Sequence, residues 1–142
     1  MPTSGKGPPV LVDTSVAVAL TVADHHDHEA TFHALQRHTL GLAGHAAFET
    51  FSVLTRLPGQ ARRTPATVAR LLAASFPESR FLSAGTAAAL LADLETSGIA
   101  GGAVYDALVG ATAGEHGLKL ATRDRRALET YRALDVEVEL LA

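Results

Sequence analysis

The chain contains no cysteine among its 142 residues. This absence excludes disulfide bridges, thiolate zinc sites and cysteine nucleophiles, so any chemistry has to come from carboxylates, hydroxyls and histidines. Aromatic residues make up only 5% of the chain, and small aliphatic side chains carry most of its hydrophobic fraction of 47%. This length and composition are typical of one globular domain, which would bury roughly two-thirds of its unfolded surface.

Basic residues are also outnumbered by acidic ones. The chain has 12 Lys and Arg against 15 Asp and Glu, and its net charge is −3. This balance argues against a protein that coats nucleic acid with a general positive surface, although it allows a local basic rim around an acidic centre. No segment is long and apolar enough to cross a bilayer, so no membrane association is expected. The apolar run after Lys6 imitates a signal peptide, but it contains the charge of Asp13, and we expect a cytoplasmic protein.

Strand-like and helix-like segments alternate along most of the chain. Residues 1–9, MPTSGKGPP, predict a flexible extension, and residues 10–142 predict a single domain. Five short segments are strand candidates, namely VLV, TLGLAG, SRFLS, LKLAT and VEVELL. Thr64 and Pro65 mark the start of one helix, and Gly98 marks the end of another. This order predicts an α/β three-layer sandwich with a mainly parallel, about five-stranded sheet.

One carboxylate lies in the middle of an almost wholly apolar helix, GGAVYDALVGATA. The neighbours of Asp106 on that helix are the residues three, four and seven positions away. They are Gly102, Ala103, Val109, Gly110 and Ala113. A charged carboxylate is more stable in water than among small and apolar side chains, so the position of Asp106 predicts a function. A small, apolar face would let the helix approach closely and present Asp106 to a metal ion.

Three further acids lie where the predicted topology would bring them to Asp106. Asp13 directly follows the first strand, Asp124 follows the fourth, and Glu49 lies inside the helix after the second. Parallel sheets bind ligands at the carboxyl ends of their strands. At separations of about 5 Å, each like-charged pair would cost roughly 3 kcal/mol at an effective dielectric near 20. A hard divalent cation such as Mg²⁺ or Mn²⁺ would relieve this repulsion and could activate water at a phosphate.

Taken one at a time, these acids have ordinary structural explanations. Asp13 or Asp124 alone would be interpreted as a helix N-cap. Glu49 alone could pair with Arg56 or His45 on its own helix, and the acid of the apolar helix could belong to a buried ion pair. The metal site is favoured because all the acids fall at positions that one sheet would bring together.

The motifs around these acids resemble the PIN domain family and, within it, the VapC-type toxins. VLVDTSV, a glutamate in the third helical segment, GGAVYDALVGATA and LATRDRRALETY stand in the family's order and spacing, from about Val10 to Leu141. The resemblance implies a parallel sheet with helices on both faces. It also implies a metal-dependent endoribonuclease that cleaves structured RNA, such as tRNA or rRNA loops, and leaves a 3′-hydroxyl and a 5′-phosphate.

The same resemblance implies a role for each acid and a set of partners. Asp13 and Asp106 would be the principal Mg²⁺ or Mn²⁺ ligands, Asp124 would complete the cluster, and Glu49 would bind the metal or orient water. The family is usually dimeric, which implies a homodimer. Its usual regulator is a small VapB-type antitoxin whose C-terminal segment occludes the pocket.

Hydroxyls and arginines flank the predicted site. Thr122 matches the hydroxyl that the family often has beside its last acid, and Thr14 is a further supporting candidate beside the first. Arg123, Arg125 and Arg126 flank the predicted rim and could grip the phosphates of single-stranded RNA loops. A solvated helix face explains these arginines almost as well.

Other interpretations compete with the nuclease. In DHHDHE the helical spacing of His25 and His28 invites a zinc site, but a solvated surface is favoured by composition. A phosphatase with Asp13 as nucleophile is disfavoured because DTS lacks a second aspartate two positions on. A catalytically inert PIN-like module that binds RNA or protein would gain only repulsion from its acids. Glu129 is a poor candidate for a fifth acid.

Overall fold

The sheet is parallel throughout and sets the frame of the molecule. The computed structural model describes residues 5–142, and within them the strands lie in the order β2-β1-β3-β4. Their bounds are Val10–Val12 for β1, Leu40–Leu42 for β2, Leu120–Thr122 for β3 and Val138–Leu140 for β4. Every residue of β1, β2 and β3 is buried. Helices cover both faces of such a sheet, which explains why its central strands are short uninterrupted runs with few polar residues.

Helices make up most of the rest of the described chain. They are α1 (Thr14–Thr21), α2 (His28–Leu35), α3 (His45–Thr55), α4 (Pro65–Ser75), α5 (Ala84–Ser97), α6 (Ala103–His116) and α7 (Leu128–Ala133). The predicted boundaries of α4 and α5 are confirmed. The Thr64 hydroxyl accepts a hydrogen bond from the backbone N–H of Thr67, and Gly98 ends α5 in the left-handed conformation with φ 69°.

Two hydrophobic cores lie on opposite faces of the sheet. Val10 and Val12 belong to one core, together with Val16 of α1, whereas Leu11 belongs to the other, together with Val109 of α6. Successive side chains of a strand point to opposite faces, so this alternation separates the cores by the thickness of the sheet. The predicted α/β three-layer architecture with a parallel sheet is confirmed.

The segment SRFLS, predicted as a strand, does not form one. Arg80 makes only an isolated parallel bridge with Ala43. Its N–H donates to the carbonyl of Leu42 at 3.1 Å, and its carbonyl accepts from Gly44 at 2.8 Å. The pairing stops there because Ser83 caps α5 three residues later and turns the chain into a helix. Four strands with a one-residue extension at the β2 edge therefore replace the predicted five within residues 5–142.

The N-terminal segment is described only in part. Residues 1–4 of the predicted extension lie outside the described residues. Residues 5–9 contain no helix or strand, and the Thr39 hydroxyl donates to the carbonyl of Gly5 at 3.2 Å. The division at residue 10 coincides with the start of β1 and stays a prediction. Among the helices of the described part, none has the length and hydropathy needed to cross a membrane.

The close approach of β2 to the segment before Arg80 yields a stability prediction. A Cβ on Gly41 would lie 2.1 Å from the backbone oxygen of Glu78, a segment held by its N–H donating to Leu40 at 3.1 Å. We expect Gly41→Ala to lower the free energy of unfolding by about 2 kcal/mol, because backbone has to move. Gly85→Ala is the matched control, since its Cβ would meet nothing within 4 Å. Equal urea midpoints for the two variants would contradict this packing.

Candidate metal centre

The acids predicted from the sequence line one open pocket at the carboxyl ends of β1 and β3. Its volume is about 550 Å³, and its lining includes Asp13, Glu49, Asp106 and Asp124. Asp13 directly follows β1, and Asp124 lies two residues beyond the end of β3. Glu49 is presented by α3 and Asp106 by α6. Four separate parts of the chain therefore contribute a carboxylate to the same cavity.

The charges of these carboxylates act on one another. The pKa of Asp106 is raised, first by burial and then by the negative charges of Asp124, Asp13 and Glu49, against a smaller opposing effect of Arg126. Among residues 5–142, however, no three of these four acids form a group placed to hold one metal ion together, whereas His25, His26 and Asp27 do. The four acids are therefore not gathered into the tight cluster considered from the sequence, although their charges still act on Asp106.

Asp13 is the most enclosed of the acids, with only 5% of its surface exposed. One carboxylate oxygen accepts from the Ser15 hydroxyl at 2.5 Å and from the Val16 N–H at 3.3 Å. The other accepts from the hydroxyls of Thr122 and, at 2.9 Å, Tyr131. These donors match the four or so hydrogen bonds that a carboxylate accepts. Burial raises the pKa of Asp13 although the hydrogen bonds lower it. Asp13 also caps α1, so the structural explanation holds beside the functional one.

Tyr131 is a site residue that sequence reasoning does not identify. Its side chain is 1% exposed, and it belongs to the same core as Val109 of α6. Burial and the negative charge of Asp13 raise the pKa of the Tyr131 hydroxyl, which stays protonated and donates. The available signal is weak: a tyrosine on the inner face of a short charged helix needs a partner for its hydroxyl.

Glycine in α6 explains how Asp106 reaches the pocket. A Cβ on Gly110 would lie 3.1 Å from the ring of Tyr131, so glycine lets α6 pack closely against α7. The buried stripe of α6 consists of Ala107, Val109, Gly110, Thr112 and Ala113. Asp106 stands beside that stripe, partly exposed at the pocket. Glycine at position 110 thus lets α6 pack closely against α7, with Asp106 on the same helix at the pocket.

The remaining acids keep carboxylate oxygens without protein donors. Within residues 5–142, no hydrogen bond reaches the Asp106 carboxylate. Glu49 is 47% exposed, and its Oε2 lies 3.8 Å from the Nε2 of His45. Asp124 uses one oxygen to accept from the backbone N–H and the Nε of Arg126, at 2.9 and 3.3 Å. Three of the four acids are therefore open toward the pocket, in contrast to Asp13.

Comparison with known proteins identifies the family. Residues 10–133 match the family model of the PIN domain. The chain belongs to the PIN-domain family. Ribonuclease VapC27 of Mycobacterium tuberculosis is 47% identical over 135 residues, covering 95% of this chain and 98% of that relative. Ribonuclease VapC40 of the same organism is 48% identical over 134 residues, covering 93% and 98%. The predicted resemblance to PIN domains of the VapC type is confirmed.

A solved structure supports the fold of this PIN domain. The crystal structure of VapBC2 from Rickettsia felis, bound to a DNA fragment from its promoter, superposes with a TM-score of 0.67. The sequences are 15% identical, and the match covers 95% of this chain and 100% of that one. Similarity at this level of identity concerns the fold alone.

The arginines of this PIN domain lie in different surroundings. The guanidinium of Arg123 is 13% exposed, pairs with Asp27 at 3.0 Å and donates to the Thr31 hydroxyl at 3.1 Å. It therefore ties the segment between α1 and α2 to the end of β3. Arg126 is 92% exposed while contacting Asp124, and Arg125 is also exposed. Of the arginines predicted to contact RNA, Arg125 and Arg126 are open to solvent.

The histidine-rich segment also reaches the pocket. His25, His26 and Asp27 have ligand atoms within 4.8 Å of one another. The Nδ1 of His25 accepts from the backbone N–H of Asp27 at 3.0 Å, and the Nε2 of His26 lies 3.1 Å from the Asp27 carboxylate. His28 turns away and donates through Nδ1 to the carbonyl of Ala19 at 2.8 Å. The His25–His28 pair considered from the sequence therefore has no shared ligand position, and internal hydrogen bonds hold this segment.

Proposed function

We propose that this PIN domain is a metal-dependent endoribonuclease, the toxin of a toxin–antitoxin pair, which hydrolyses phosphodiester bonds in structured RNA such as tRNA or rRNA loops. One observation carries the proposal: carboxylates from four separate parts of the chain line one open pocket and raise the pKa of Asp106. Its relatives of nearly equal length, at 47% and 48% identity, are named ribonucleases. A fold that needed only stability would gain nothing from gathering these charges.

The donor set fits Mg²⁺ or Mn²⁺. The pocket offers carboxylate oxygens, which hard divalent cations prefer, and it is open enough to keep water and admit a phosphate. We assign Asp106, Asp124 and Glu49 as ligands through their open oxygens. Asp13 would join them when one of its hydroxyl donors turns away. Such an ion, when bound, supplies an activated water and offsets the charge that develops on the phosphate.

The side chains around the acids orient them and move protons. The hydroxyls of Thr122 and Tyr131 hold the Asp13 carboxylate in one orientation. The carboxylate of Glu49, whose Oε2 lies 3.8 Å from the Nε2 of His45, would accept the proton of the attacking water. Water adds at phosphorus, the bond from phosphorus to the 3′ oxygen breaks, and that oxygen takes a proton from solvent water, which leaves a 3′-hydroxyl and a 5′-phosphate. The Thr14 hydroxyl lines the pocket beside Asp13 and would contact the phosphate.

A protein partner is part of the proposal. Large apolar side chains are exposed, with Phe48 at 66%, Phe81 at 52% and Leu91 at 72%. Phe48 and Phe81 also line a second, largely apolar groove of about 270 Å³. Such a surface supports binding of a VapB-type antitoxin and formation of a homodimer. The related fold from Rickettsia felis was solved as VapBC2. We place this activity in the cytoplasm, where the RNA substrate is found.

The proposal is tested by RNA cleavage with and without metal. Wild type is expected to cleave total tRNA with Mg²⁺ and to lose cleavage in EDTA, because the carboxylates alone repel the phosphate. Glu49→Gln keeps the shape of a half-exposed side chain and is expected to cleave about a hundredfold more slowly, as a lost general base does. Glu129→Gln, also exposed but outside the pocket, should match wild type.

Four outcomes would contradict the metal-dependent nuclease. Cleavage that persists in EDTA would exclude the metal, and equal rates for Glu49→Gln and Glu129→Gln would exclude the pocket. Metal-dependent release of phosphate from small esters without RNA cleavage would favour the phosphatase. RNA binding without any cleavage would favour the inert module.

A further inference from the structure

Two stacked pairs of rings border the carboxylate pocket. The rings of His25 and His26 lie 4.8 Å apart at 12°, and those of His45 and Tyr105 lie 4.8 Å apart at 23°. His25, His26 and Tyr105 line the same pocket as the acids. The side chain of His26 is 86% exposed, and Tyr105 is 54% exposed. Each pair therefore offers an outer ring surface to solvent at the edge of the pocket.

Positive charge in the pocket is scarce and already paired. The lysines and arginines of its lining are Arg123 and Arg126, which lie 3.0 and 3.3 Å from the carboxylates of Asp27 and Asp124. Attraction between basic side chains and phosphates, which usually dominates nucleic-acid binding, is therefore weak at this site. Stacking between bases and aromatic rings does not require net charge and can supply the missing affinity.

We propose that His26 and Tyr105 are stacking platforms for unpaired nucleobases on either side of the phosphodiester that enters the pocket. The inference rests on the proposed function and specifies its substrate class. Both platforms are held in place, since His25 accepts from the N–H of Asp27 at 3.0 Å and His45 packs against the ring of Tyr105. Preorganised rings lose little freedom on binding. Only bases splayed from a duplex expose their faces, so the substrate is a single-stranded segment or loop.

Binding by a cleavage-blocked protein tests the platforms. In an Asp106→Asn background with Mg²⁺, Tyr105→Leu and His26→Ala are each expected to weaken binding of a single-stranded RNA about tenfold. They should also reduce the quenching of a 2-aminopurine base in that RNA. Tyr105→Phe and His26→Trp keep a ring and should keep the affinity. His38→Ala, which removes an exposed histidine outside the pocket lining, is the matched control and should change nothing.

The same RNA with abasic sites around the scissile phosphate sharpens the test. It should bind weakly and be insensitive to Tyr105→Leu, because the stacking partner is gone. In the cleavage-competent protein, the ring-removing variants should raise KM and leave kcat near its original value.

Several results would overturn the stacking proposal. They are unchanged affinity in Tyr105→Leu and His26→Ala, equal losses in Tyr105→Phe and Tyr105→Leu, and no RNA binding by the background protein. Failure here leaves Mg²⁺-dependent cleavage by wild type intact. Failure of the proposed function would appear instead as absent cleavage or as cleavage in EDTA.

Discussion

Asp106→Asn is expected to slow RNA cleavage about a thousandfold, which corresponds to roughly 4 kcal/mol of lost transition-state stabilisation. The substitution keeps the shape of the side chain and removes the charge that faces the pocket without a hydrogen-bonding partner among the described residues. Single-turnover cleavage with Mg²⁺ measures the effect. Asp93→Asn neutralises an exposed acid of α5 outside the pocket and should cleave like wild type. Similar rates for the two variants would contradict the role of Asp106.

The same variant should be more stable than wild type when no metal is present. The pKa of Asp106 is raised in the folded protein, so ionisation of this group opposes folding. The penalty is absent below the pKa of the unfolded chain, about 4, and is complete above the folded value. At neutral pH in EDTA, Asp106→Asn should therefore melt a few degrees higher than wild type. Mg²⁺ should raise the melting temperature of wild type more than that of the variant.

Asp13→Ala is expected to have the opposite effect on stability, lowering the free energy of unfolding by about 3 kcal/mol. It leaves the buried hydroxyls of Thr122 and Tyr131 without their acceptor and removes the N-cap of α1. The lost cost of burying a charge, which raises the pKa of Asp13, offsets only part of this. Urea unfolding at neutral pH in EDTA measures the change.

The variant Asp13→Asn separates the two contributions. It removes the charge but keeps an acceptor oxygen and the volume of the side chain, so it should unfold between Asp13→Ala and wild type. If Asp13→Ala were as stable as wild type, the hydrogen bonds around Asp13 would contribute nothing net. Asp13 would then be dispensable for stability, as Asp106 is expected to be.

The sequence predicted the parts of the fold that have local causes. The buried strands are runs with few polar residues, and the caps at Thr64 and Gly98 follow from the chemistry of single side chains. The segment around Arg80 has a strand-like composition, yet its pairing is limited by the helix cap at Ser83. The strand preference of this segment competes with the helix start at Ser83, and only the three-dimensional contacts decide between the two.

The assembly of the acids was predictable because topology brings strand ends together. The contacts that each of these side chains makes were not predictable from the sequence. The donors to Asp13 include Tyr131, which is 118 positions away and carries no motif. Arg123 follows the predicted rim in the sequence, yet its guanidinium pairs with Asp27, a contact that depends on how the segment between α1 and α2 folds back. Pairwise contacts of this kind arise from packing, which residue type and spacing do not determine.

The position of a bound cation is the most direct test of the metal centre. Anomalous diffraction from crystals soaked in Mn²⁺ is expected to show a peak within coordination distance of Asp106 and at least one of Asp13, Glu49 and Asp124. Crystals of Asp106→Asn should lose that peak. A peak only at His25, His26 and Asp27, or no peak in wild type at millimolar Mn²⁺, would contradict the assignment.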